Sequence, residues 1–114
     1  MSPKEFLSQL TVMTIAVIDE EGKPWAVPVK IQTYQNGEIT WVSKTTTVHS
    51  RAIERSPEIM INAFDEAGMR AIYARAMAEK TLPTPGVGTY RARIFEAWYT
   101  DATHKKSPVD MEDL

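Results

Sequence analysis

Apolar and polar residues alternate along much of this chain with the period of two of a pleated strand. From Trp25 to Tyr34 one face carries Trp25, Val27, Val29, Ile31 and Thr33, and the other Ala26, Pro28, Lys30, Gln32 and Tyr34. Glu38 to Ser43 repeats the pattern, with Ile39 and Trp41 opposite Thr40 and Val42. Asn36-Gly37 lies between these two runs and predicts a tight hairpin turn. Tyr90 to Thr100 predicts a long last strand, with Tyr90, Ala92, Ile94, Glu96 and Trp98 on one side of it. Thr11 to Asp19 and Glu58 to Phe64 are apolar at nearly every position. For the first of these, the weak alternation predicts a strand covered on both faces. Met69 to Lys80 fits helix by its alanines and methionines, but the surrounding strands favour a strand there.

Helical signals are short and local. Ser2-Pro3-Lys4-Glu5 has the form of a capping box with proline at the first helical position, which predicts a helix over Pro3–Gln9. Thr45-Thr46-Thr47 offers hydroxyl caps to a second helix over Val48–Arg55. Ser56-Pro57 stops it, because the residue before proline is pushed out of the helical region. Pro28 cannot donate to a ladder and marks an edge or a bulge. Thr81 to Gly88 reads as an irregular connector. The sum is a mainly β chain, six antiparallel strands and two small helices, for which barrel closure is the natural answer to exposed edges. The domain is expected to span residues 1–101, followed by a polar, frayed tail over 102–114.

Composition narrows the function. A length of 114 residues fits one domain, and 43% hydrophobic with 25% charged residues is ordinary globular content. The formal charge of -2 offers no broad basic surface for nucleic acid. Cysteine is absent, which removes disulfides and thiol chemistry, and no His/Asp/Glu grouping has metal-ligand spacing. No apolar run approaches the ~20 residues of a membrane span. With no signal pattern at the N-terminus, a cytoplasmic location is expected.

The stretch with candidate chemistry is Trp41 to Arg51. A strand end, a hydroxyl-rich turn and a helix start meet there. A helix start presents unpaired N–H groups and partial positive charge, and Lys44, His49 and Arg51 add cations nearby. Read locally, this is either an anion pocket or a capped surface helix with scattered charges. Arg91 and Arg93 are rim charges or ligand contacts, Trp98 a core, interface or ligand-covering residue, and His104 a solvated tail residue.

In order, the chain has an apolar strand ending in Asp-Glu-Glu-Gly, then Pro-Trp-Ala-Val-Pro-Val and an Asn-Gly hairpin. Ile-Thr-Trp-Val-Ser follows, then a Thr/Ser turn and a short helix closing on Ile53-x-x-Ser56-Pro57. This order, over about residues 9 to 65, resembles the pyridoxamine 5′-phosphate oxidase-like, FMN-binding split-barrel family. The resemblance implies a six-stranded antiparallel split β-barrel and a homodimer with FMN at the subunit interface. By the same resemblance, the cofactor phosphate falls at Ser43, Lys44, Thr46, Thr47 and the His49 position, and the residues themselves offer Lys44 and Arg51 as compensating cations. The flavin ring falls beside Pro28, Val29 and Lys30, near Val42 and Trp41, where Trp41 reads first as a core residue and second as a ring contact. The family usually carries Lys at the place of His49 and often Arg at that of Val48. The implied activity is an FMN-dependent oxidoreductase acting on a small molecule, with a nicotinamide electron donor or oxygen as second partner. A non-catalytic flavin-binding or sensing protein is the alternative, as is a deazaflavin or heme protein on the same barrel. No catalytic residue is nominated, because flavin chemistry often needs no protein acid or base.

Overall fold

The computed structural model describes all 114 residues, the side chains at positions 83 and 84 aside. Helix α1 (Pro3–Gln9) is followed by strands β1 (Val12–Ile18), β2 (Pro24–Lys30), β3 (Thr33–Gln35) and β4 (Glu38–Lys44). Helix α2 (Val48–Arg55) then leads to β5 (Glu58–Asp65), β6 (Arg70–Thr84), β7 (Val87–Thr100) and β8 (Lys106–Val109), with a closing 3₁₀ turn at Met111–Asp113. The eight strands form one antiparallel sheet in the order β2-β1-β5-β6-β7-β4-β3, with β8 alongside β7. The sheet curls so that its two ends are consecutive in the chain. Ile31 N–H donates to Thr11 at one end and Gln32 N–H donates to Thr40 at the other. That is a split barrel.

Both helices start and stop where the sequence predicts. Ser2 accepts from the Glu5 amide at 3.1 Å, the N-cap half of the capping box, and its hydroxyl donates to the Glu5 carboxylate at 3.1 Å. The Asn36-Gly37 turn has φ of 47° and 82°, the left-handed pair of a tight hairpin. The Met69–Lys80 segment is strand, as the β context favoured.

Five expectations are corrected. Eight strands form instead of six. The predicted second strand breaks after Lys30, because the chain must leave β1 and join β4 to close the barrel. In β1 the burial alternates, with Met13, Ile15 and Val17 inside and Val12 and Ile18 exposed, so only one face is fully covered. The Thr81–Gly88 connector is the end of a long β6–β7 hairpin, paired through Leu82 and Thr89 and turned at Pro85-Gly86. The 102–114 tail is not frayed: β8 pairs with Ala97–Thr100, and Leu114 is buried against the Gly37 turn.

The last strand also departs from continuous alternation. Arg75 faces Glu96 but Ala76 faces Ile94, so Phe95 is an unpaired bulge residue. The extra residue switches faces: Tyr90, Ala92 and Ile94 are buried before it, and Ala97 and Tyr99 after it. Tyr99 thereby meets Phe6 edge-on at 5.8 Å and holds α1 on the barrel. Among the described residues, no helix is long and apolar enough to cross a membrane.

Candidate functional site

Strand β4 ends beside α2, and the Thr45–Thr47 turn between them builds the site. Thr47 is the N-cap of α2: its Oγ1 accepts from the Ser50 amide at 3.2 Å and lies 2.8 Å from Ser50 Oγ and 3.1 Å from the Lys44 carbonyl. The Arg51 amide donates to the Thr47 carbonyl. The Val48 and His49 amides, the first two of the helix, have no partner among the described residues. These are the donors an anion would use, together with the exposed side chains of Lys44 and Thr46. Lys44 makes no ion pair among the described residues.

His49 behaves differently from a cationic phosphate ligand. It is 7% exposed, with Nε2 3.0 Å from Ser43 Oγ and 3.4 Å from Thr47 Oγ1. Burial pushes its imidazole below the ordinary histidine range, so the neutral ring is favoured. The ring therefore ties the end of β4 to the α2 cap. Ser43, Thr47 and Ser50 are engaged in the same network, and their hydroxyls are largely satisfied internally.

A cleft of about 320 Å³ opens beside this corner, between the β1–β2 turn and the first turns of α2. Thr46 and Arg51 of the predicted set line it, joined by Trp25, Val48, Asp19, Glu20 and Glu21. Arg51 is not free: Glu20 holds it at 2.5 Å and also reaches Arg55 at 3.7 Å. Asp19 is committed to the turn, accepting from the Glu21 and Lys23 amides at 2.9 Å each. Glu21 pairs with Lys23 at 3.3 Å.

The other predicted residues fall elsewhere. Trp41 is fully buried and stacks on Tyr90, with ring centroids 5.8 Å apart and planes 16° off parallel, which makes it core. Val42, the next residue, points outward and is exposed. Pro28, Val29 and Lys30 lie on the free edge strand β2, paired to Thr14, Met13 and Val12. Val29 is buried in the barrel, while Pro28 and Lys30 are exposed on its outer face, away from the cleft lining. Trp25, Glu20 and Val48 were not singled out as ligand contacts. An exposed tryptophan next to a glycine turn was a readable signal; the Glu20–Arg51 pair, 31 positions apart, was not. Among the described residues no three metal-ligating side chains converge.

No family model and no curated protein matches the sequence. Solved structures do match in shape. A protein from Clostridium acetobutylicum, related to general stress protein 26 of B. subtilis and described as of the pyridoxinephosphate oxidase family, superposes with a TM-score of 0.80 at 10% identity, covering 94% of this chain and 90% of that one. A pyridoxamine 5′-phosphate oxidase-related, FMN-binding protein from Nostoc punctiforme gives 0.73 at 6% identity, over 88% and 87%. A heme-binding protein from Mycobacterium smegmatis gives 0.79 at 14% identity; 94% of this chain is covered, but only 55% of that protein.

Proposed function

We propose that this chain, which has the split-barrel fold of the pyridoxamine 5′-phosphate oxidase-related proteins, binds FMN at the junction of β4 and α2. The observation that carries the reading is the pair of unpartnered Val48 and His49 amides beside exposed Lys44 and Thr46, on a barrel shared with an FMN-binding protein. Those groups would hold the phosphate. The neutral His49 ring would keep Ser43 and Thr47 in place rather than supply charge. Arg51 could add its guanidinium only by leaving Glu20, so the anion site rests on one free lysine and two amides. Micromolar affinity corresponds to ~8 kcal/mol, within reach of such contacts plus ring burial. The bound flavin would supply electron transfer, and the protein its position.

Heme fits less well. It needs an axial ligand in the site, whereas His49 is buried in a hydroxyl network and the exposed His104 does not line the cleft. A homodimer is part of the reading. Val12, Ile18, Phe64, Met77 and Phe95 are all exposed, apolar side chains that a second copy would cover. Oxidoreductase activity on a small molecule, with a nicotinamide donor, is part of the same proposal and stands on the flavin.

The test is the visible spectrum of the purified protein after addition of FMN and gel filtration. Co-migrating absorbance near the flavin maxima is expected. A colourless protein fraction overturns the reading.

A further inference from the structure

The cleft beside the anion corner has walls that do not suit a phosphate. Glu20 and Glu21 line it, and a second anion there would meet like charge. Trp25 lines it too and is 45% exposed. Among the described residues, the aromatic and cation–π contacts involve Phe6, Tyr99, Trp41, Tyr90, Trp98 and Tyr73, and none involves Trp25. The half-exposed indole thus lines the cleft with no aromatic or cationic partner among the described residues, and Val48 adds a second apolar surface. The volume of about 320 Å³ lies at the small end of ligand pockets. Thr46 and Val48 belong both to this cleft and to the helix start, so the two regions are continuous.

An open aromatic face stacks a planar base. Carboxylates accept from sugar hydroxyls and from an exocyclic amine. The adjoining amides accept a phosphate. We propose that the cleft is an adenosine subsite, which takes the nucleoside end of a dinucleotide whose phosphates lie at the start of α2. Trp25 is the stacking platform and Glu20 the acceptor for the ribose or base. The dinucleotide is FAD, whose flavin half brings its phosphate to the corner assigned to FMN; a nicotinamide dinucleotide would need the same amides and Lys44 and would displace FMN. The inference deepens the flavin reading of this corner and rests on it for the anionic part of the ligand.

Calorimetric titration of AMP, FMN, FAD and NADH into the wild type, Trp25→Ala and Trp25→Phe tests it. AMP is expected to bind the wild type. Trp25→Ala should weaken AMP and FAD by about 5- to 150-fold, with FMN unchanged, while Trp25→Phe keeps most of the affinity because a ring remains. A Trp25-dependent loss for NADH with FAD unaffected overturns the assignment to FAD. Thermal melts confirm that both variants fold. Adenine ligands indifferent to Trp25 alongside normal FMN binding remove the subsite and leave the flavin reading. A Trp25→Ala loss shared equally by FMN also counts against it. AMP binding without any FMN binding leaves the subsite and removes the flavin.

Discussion

Gly88 lies directly across from Ser43 in the β4–β7 ladder and is pressed by two side chains. A Cβ added there would fall 2.9 Å from Tyr90 Cε2, 3.1 Å from Tyr90 Cζ and 3.1 Å from Lys80 Cδ. The lysine could shift, at the expense of its 2.8 Å pair with Glu54. The tyrosine has little freedom, because it is fully buried and stacked on Trp41. Gly88→Ala is therefore overpacking against a pinned ring, worth about 1–3 kcal/mol of stability. For a domain of this size that corresponds to a Tm lower by about 4–12 °C. Urea denaturation gives the free energy directly, and an unchanged slope would show that the change lies in stability and not in the compactness of either state. The same substitution on a Tyr90→Leu background should cost less than about 0.5 kcal/mol, since the colliding ring is gone, and the double-mutant cycle isolates that coupling. If Gly88→Ala unfolds within about 0.5 kcal/mol of wild type, or costs the same on both backgrounds, the steric argument is wrong.

Thr47→Ala removes the α2 cap and should lower stability by about 1 kcal/mol, read by the same denaturation, while Thr47→Ser keeps most of it. Tyr90→Phe deletes a buried hydroxyl with no partner among the described residues, so it should be neutral or stabilising by up to about 1 kcal/mol; a clear loss would mean that the hydroxyl is hydrogen-bonded in solution. The folded protein holds the His49 pKa below its unfolded value of 6.5, so the unfolded chain binds more protons in that range. Stability contributed by neutral His49 is thus complete above that value and falls as pH drops below it. Chemical denaturation across mildly acidic pH should show a slope that His49→Gln flattens, and an identical pH profile in the variant would refute the assignment.

The local features of this protein were legible because local chemistry decides them. The two capped helices, the proline stop after Ser56 and the Asn36-Gly37 turn each depend on a few neighbouring residues, and each forms where the pattern places it. The order of strands and the split-barrel fold followed from patterning and from a resemblance carried by about half the chain. Longer-range effects were invisible. The break after Lys30 arises from barrel closure, and the Phe95 bulge from the need to keep both Ile94 and Tyr99 inside. Neither leaves a mark on a single strand's alternation. The tail looked free because its residues are polar, yet β8 gains the open lower edge of β7 as a partner.

The site divides in the same way. The sequence alone determined that hydroxyls, a helix start and cations would meet between Trp41 and Arg51. Tertiary packing decided which of those groups are spent: His49 on Ser43, Arg51 on Glu20, and Trp41 on Tyr90. The reason is physical. A residue's type sets what it can bond to, but burial and the partner brought from a distant strand determine what remains free for a ligand.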